Sequence, residues 1–175
     1  INTLDRKVVG NERPSVTGGW STTLTYKNLS LYARFDYALG HTIYNDLKAR
    51  SMGQYQGQFN LITKVKEMWS ENNPDAKYPV FTYADQLDKH NIWRGNSIFY
   101  EKASYMALRE ITLSYSLPKQ WIRTLQMSNA NVYVTGQNLF YLTSYDGASP
   151  EPTNGVDYGR YPAPRTLLFG INITF

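Results

Sequence analysis

The chain has 175 residues with 18 basic and 14 acidic side chains, a formal surplus of +4, which is scattered and too small to argue for a nucleic-acid partner. The absence of cysteine excludes thiol catalysis, thiolate metal sites and disulfide stapling. No apolar run nears the roughly 18 residues of a membrane-crossing helix, while a mean hydropathy of −0.49 is compatible with strands that show lipid only every second residue.

The opening Ile1-Asn2-Thr3-Leu4-Asp5 has no signal-peptide character and fits a mature chain or an internal piece. Residues 1–19 read as loop up to Thr17-Gly18-Gly19, after which the hydrophobic period becomes two. A first strand is expected over about 20–27, with Trp20, Thr22, Leu24 and Tyr26 on one face. A tight turn follows at Lys27-Asn28-Leu29-Ser30. The next strand, about 29–40, places Leu29, Leu31, Ala33, Phe35, Tyr37 and Leu39 on one unbroken apolar face and Arg34 and Asp36 on the other. A strand of about eleven residues crosses a bilayer at a barrel's tilt; the competing reading is the salt-bridged solvent face of a sandwich.

Residues 41–103 form a long insertion. Leu61, Val65, Met68 and Trp69 follow helical spacing, and Pro74 limits that helix. An Asp85/Asp88 pair and Trp93, Phe99 and Tyr100 lead out of it. Such lengths between consecutive strands usually carry function.

Strand character returns over about 104–117. Ile111, Leu113, Tyr115 and Leu117 are in phase, while Met106 and Leu108 belong to the opposite phase. The slip near Arg109-Glu110 calls for a bulge, or for apolar side chains turned inward in the upper part. Pro118 ends the strand, and Lys119 to Met127 makes a short turn with about one helical turn around Trp121 and Leu125. A fourth strand runs over about 129–141, a second long loop over 142–164, and a last strand over about 165–175. In that strand Leu167, Phe169, Ile171, Ile173 and Phe175 oppose Thr166, Leu168, Gly170, Asn172 and Thr174.

Short connections thus alternate with long ones, the asymmetry of an outer-membrane barrel with short periplasmic turns and long external loops. That pattern puts the last strand's end on the periplasmic side. The 15 Tyr, 7 Phe and 4 Trp suit interfacial girdles and binding faces. Five tilted strands cannot close a lumen, so a barrel needs strands from outside this sequence.

Several segments carry a family resemblance. Asp5-Arg6-Lys7-Val8-Val9-Gly10-Asn11, with Pro14 and Thr17-Gly18-Gly19, is one. Tyr105-Met106-Ala107-Leu108-Arg109-Glu110-Ile111-Thr112-Leu113-Ser114-Tyr115-Ser116-Leu117-Pro118 is a second, and Asn131-Val132-Tyr133-Val134-Thr135-Gly136-Gln137-Asn138-Leu139-Phe140 a third. Gly159-Arg160-Tyr161-Pro162-Ala163-Pro164-Arg165-Thr166 and Phe169-Gly170-Ile171-Asn172-Ile173-Thr174-Phe175 complete the set. In order and spacing the chain resembles the C-terminal part of SusC-like (RagA-like) TonB-dependent outer-membrane transporters. The resemblance implies an all-β fold, the last five antiparallel strands of a barrel of about 22 strands around a plug. It implies import of a glycan or oligopeptide across the outer membrane of a Bacteroidetes-type bacterium. The implied partners are a SusD-like surface lipoprotein, TonB acting through an upstream region, the remaining strands and plug, and outer-membrane lipid.

No catalytic constellation is readable, which agrees with a transporter that performs no covalent chemistry on its cargo. His41 and His90, the two histidines, show no metal-ligand spacing. Asp146, Glu151 and Asp157 are candidates for a structural calcium ion in the second loop, because calcium takes oxygen ligands, although they lack EF-hand spacing. Trp69, Tyr78, Trp93, Phe99, Tyr100, Tyr145, Tyr158 and Tyr161 suit cargo or lipoprotein contact and equally suit packing of the loops, so none is assigned as a ligand. Two other readings remain: a stand-alone carbohydrate-binding β-sandwich and a non-transporting outer-membrane receptor.

Overall fold

In the computed structural model, described for residue 4 and residues 6–52, 60–80, 96–124 and 126–175, the chain divides into two compact units. Its elements in order are β1 (Val16–Tyr26), β2 (Leu29–Leu39), β3 (Thr42–Asn45), α1 (Asp46–Ser51), β4 (Tyr100–Lys102), β5 (Tyr105–Ser116), α2 (Lys119–Thr124), β6 (Asn129–Thr143), β7 (Val156–Asp157) and β8 (Thr166–Thr174). None of the described helices is long and apolar enough to cross a membrane.

One unit comprises residues 15–39, 104–144 and 162–175. It is a single antiparallel sheet in the order β1-β2-β5-β6-β8, a meander in which each strand pairs with its neighbour of opposite direction. β1 begins at Val16, earlier than the alternation alone indicates, because Gly18 and Gly19 are paired with Tyr37 and Asp36. The β1–β2 turn is Lys27-Asn28, flanked by the Tyr26–Leu29 pair, with Lys27 in the left-handed region at φ 54°.

The phase slip at Arg109 is a β-bulge. Between the rows Ala33–Ile111–Gly136 and Phe35–Leu108–Phe140, β2 advances 2 residues, β5 advances 3 and β6 advances 4. The extra residues, with Asn138 at φ 52°, restore Met106 and Leu108 to the face of Ile111 and Leu113. They do not turn inward. Lys119 to Thr124 forms α2 around Trp121; Leu125 lies outside the described residues.

The other unit comprises residues 1–14, 40–103 and 145–161. It contains a small sheet in the order β4-β3-β7, antiparallel on one side of β3 and parallel on the other. Phe99, Met52, Ala49, Met68 and Tyr78 form its buried core, with Tyr44, Val65 and Ile98 packed against them. The helix expected through Leu61, Val65, Met68 and Trp69 is corrected to a 3₁₀ turn, Thr63–Glu67. Met68 leaves the turn extended and bridges Tyr78, with the Trp69 N–H donating to the Tyr78 carbonyl at 2.9 Å. Burying Met68 with Tyr78 requires that extended exit, and core packing overrides a weak helical period in so short a segment. Asp85, Asp88, His90 and Trp93 lie outside the described residues.

Candidate functional site

The functional surface of the sheet unit is the sheet itself, whose two faces have opposite chemistry. The cross-strand register assembles six rows on one face. They are Tyr26–Leu29–Tyr115–Val132–Ile171, Leu24–Leu31–Leu113–Val134–Phe169, Thr22–Ala33–Ile111–Gly136–Leu167, Trp20–Phe35–Leu108–Phe140, Gly18–Tyr37–Met106–Leu142 and Val16–Leu39. These rows contain no charged residue. Phe169 is 80% exposed and Leu24 62%, while Ala33 and Leu108 in the same rows are buried, and no facing sheet packs here among the described residues of this unit, as a sandwich requires. Eleven residues at about 3.3 Å each and a barrel tilt near 45° rise about 25 Å, the height of an outer-membrane apolar band. Trp20 and Phe35, paired across β1 and β2, stack at 4.5 Å with planes 15° apart.

The opposite face is polar and internally bonded. Arg109 grips both carboxylate oxygens of Asp36, the outer contact being Nη2 to Oδ2 at 2.8 Å, and donates from Nη1 to the Tyr141 hydroxyl at 2.7 Å. Its guanidinium lies over the Tyr141 and Tyr105 rings. The bulge thus puts both Arg109 and Glu110 on the polar side while Leu108 and Ile111 stay on the apolar one. Arg34 stands opposite Glu110 in register, and the Thr112 and Thr135 hydroxyls lie 2.7 Å apart. Gly170 leaves space for the ring of Tyr133, which a Cβ would occupy.

The loop unit is organised by buried charge. Lys48, 7% exposed, bridges Glu101 at 2.8 Å and Asp146 at 3.1 Å, and Lys64 pairs with the same Asp146 oxygen. Burial pulls the Lys48 ammonium down, but the hydrogen bonds to Glu101 and Asp146 and the Glu101 charge outweigh it, and its pKa ends above the ordinary lysine value. The Asp146 carboxyl is held low by its bond from Lys64, then, against some burial, by Lys48. Asn45 caps α1 through the Lys48 N–H at 3.0 Å and donates to the Asp146 carbonyl. Asp157 accepts the Tyr145 hydroxyl at 2.8 Å and the Ala148 and Gly159 amides at 3.0 and 2.9 Å. Burial, then the bond to Asp157, keeps the Tyr145 phenol protonated well above its ordinary range. Gly159 holds φ +75°, which closes that turn without a strained side chain.

Of the three carboxylates considered for calcium, two are engaged by protein donors, Asp146 by two ammonium groups and Asp157 by a hydroxyl and amides, while the Glu151 backbone N–H donates to the Ser149 hydroxyl. No group of three His, Asp or Glu among the described residues is placed to hold a metal ion. His41 is buried, its Nε2 donating to the Pro150 carbonyl at 3.1 Å. Of the aromatics singled out from sequence, Tyr78, Phe99 and Tyr145 are core, while Trp69, Tyr100, Tyr158 and Tyr161 are exposed. Sequence reasoning missed Lys48 and Glu101; the signal present was one acid, Glu101, directly after the apolar and aromatic run Ile98-Phe99-Tyr100.

One face built for hydrocarbon and one hydrogen-bonded within itself define an arc of a transmembrane β-barrel. No family model matches the chain. The chain is 31% identical over 186 residues to TonB-dependent receptor P26 and 30% over 187 to TonB-dependent receptor P3, both of Formosa agariphila. It is 25% identical over 179 residues to the TonB-dependent receptor SusC of Bacteroides thetaiotaomicron. All of this chain is covered in each case, but it spans only 16–18% of these relatives' length. Among solved structures, that of the RagAB peptide transporter superposes with a TM-score of 0.81 at 26% identity, over 96% of this chain and 18% of that one. In sequence and in fold the chain matches the C-terminal barrel part of SusC-like TonB-dependent receptors.

Proposed function

We propose that this chain supplies five neighbouring wall strands and two external loops of an energised outer-membrane importer for a bulky oligomer. The observation that carries the reading is the uncharged set of six rows, about 25 Å tall, backed by a polar face. In lipid each unpaired backbone group costs several kcal/mol, so β1 and β8, the edges of this sheet, need neighbouring strands. The short turns lie on the periplasmic side and the long connections outside, where a SusD-like lipoprotein covers them; TonB acts through regions outside this segment. The cargo is an oligopeptide or an oligosaccharide. The likeness to a peptide transporter supports the former, and the exposed loop aromatics Trp69, Tyr100, Tyr158 and Tyr161 suit either. The absence of a readable catalytic constellation agrees with a carrier that leaves its cargo covalently unchanged.

The test uses the lack of cysteine in this segment. Spin-labelled single cysteines in the intact receptor at Leu24, Leu113 and Phe169 should collide with oxygen dissolved in lipid, and those at Thr23 and Ser114 with a water-soluble nickel chelate. Equal accessibility of both sets to the chelate would sink the wall assignment. Energy-dependent uptake of labelled peptide or glycan by cells carrying the receptor then tests transport against a non-transporting receptor.

A further inference from the structure

The charge of this chain is unevenly placed. The loop unit holds 12 basic and 12 acidic residues, the sheet unit 6 basic and 2 acidic, so the whole surplus of 18 − 14 = +4 belongs to the sheet unit. Its two acids, Asp36 and Glu110, are mid-strand, Asp36 bonded to Arg109 and Glu110 opposite Arg34. Arg165 lies at the far end of β8. That leaves Lys27, Lys119 and Arg123, all at the short-turn end and all exposed.

The hydrogen bonding gathers this end into one surface. The Ser116 N–H donates to the Asn28 carbonyl at 2.8 Å, bringing the β1–β2 turn beside the start of α2. α2 is pinned by its buried Ile122, by Met127 N–H to the Ile122 carbonyl at 3.0 Å, and by Ser128 N–H to the Thr174 carbonyl at 2.7 Å. Trp121 is left 60% exposed and Tyr26 71%, with the Lys27 ammonium 5.3 Å from the Tyr26 ring centre. Tyrosine and tryptophan beside cations at the end of an apolar wall form an arrangement with one apolar and one wet requirement.

We propose that this end is a binding site for the phosphate headgroup of an anionic glycerophospholipid, with Lys27, Lys119 and Arg123 as its cationic ligands. The inference rests on the membrane-wall reading and adds headgroup selectivity to it. Arg123 offers a planar fork to phosphate oxygens, the two lysines act as point charges, and Trp121 and Tyr26 sit at the glycerol boundary. None of the three cations makes an ion pair within the described residues, so charge complementarity is supplied from outside. Each is worth about a five-fold preference for an anionic over a zwitterionic surface.

The test is native mass spectrometry of the intact receptor released from bilayers of equal phosphatidylglycerol and phosphatidylethanolamine. The expected result is a retained-lipid ratio favouring phosphatidylglycerol, falling about five-fold with each of Lys27→Gln, Lys119→Gln and Arg123→Gln and weakening in salt. The charge-keeping set Lys27→Arg, Lys119→Arg, Arg123→Lys should retain it, as should the control set Lys66→Gln, Lys77→Gln, Arg160→Gln in the loop unit. An unchanged ratio in the single glutamine variants, an equal fall in the control set, or selective retention of lipid A instead would overturn the site. A receptor that stayed soluble without lipid would overturn the wall reading as well.

Discussion

Phe35→Arg tests the wall assignment at its most demanding depth. Phe35 lies in the fourth of the six apolar rows, and its neighbour Arg34 already places a guanidinium at the same height on the polar face. Six residues from the first row at about 3.3 Å and a 45° tilt put Phe35 about 14 Å into a band of about 25 Å, close to its middle. An arginine at the midplane of an outer-membrane barrel costs about 2–4 kcal/mol. Loss of the Trp20 stacking, at 4.5 Å and 15°, adds about 0.5–1.5 kcal/mol. The expected loss is therefore about 3–5 kcal/mol. Thr23→Arg, on the polar face of β1 and exposed, should cost less than about 1 kcal/mol. Guanidinium unfolding of the intact receptor in vesicles measures both, and heat-modified migration in gels reports assembly in cells. If Phe35→Arg proved as mild as Thr23→Arg, this face would not meet lipid.

Lys48→Met should loosen the loop unit locally, at a cost of about 3 kcal/mol for leaving the part-buried Glu101 uncompensated; faster amide exchange in α1, β4 and residues 145–159, without change in the sheet, is the readout. The low Asp146 pKa sets an acid limit on the same attachment. A carboxyl whose folded value lies below its unfolded value contributes stability present above the unfolded value and lost as pH falls through the folded one. Exchange protection in residues 60–80, taken relative to the intrinsic amide rate at each pH, should stay constant from neutrality to about pH 4 and fall below it. The raised Lys48 value contributes below the ordinary lysine range and is lost only at more alkaline pH, so no loosening is expected up to about pH 10; loosening at pH 8–9 would contradict the ion-pair assignment. Gly170→Ala should destabilise the barrel by about 1–2 kcal/mol through overlap with the Tyr133 ring, and adding Tyr133→Ala should recover most of that loss in a double-mutant cycle.

The uneven legibility of this chain has a physical cause. Lipid on one face and a polar interior on the other force side chains to alternate, and alternation is a local property that each strand carries in its own residues. Leu29 to Leu39 and Leu167 to Ile173 were therefore readable one strand at a time. The slip at Arg109 was visible as a defect but not resolvable, because a bulge is defined against its neighbours: only pairing with Ala33–Phe35 and Gly136–Phe140 shows that β5 and β6 carry extra residues there. The loop unit obeys no such periodic constraint. Its central contacts join Lys48 to Glu101 and Asp146, separated by 53 and 98 positions, and no window of sequence contains them. Met68 illustrates the consequence: its helical spacing was genuine, yet a distant Tyr78 offered burial that an isolated turn could not. The wall is thus specified by its solvent and the loops by their partners. Substitutions in the wall should therefore be governed by face and depth, whereas those in the loop unit should be governed by which remote charge or ring is left without its counterpart.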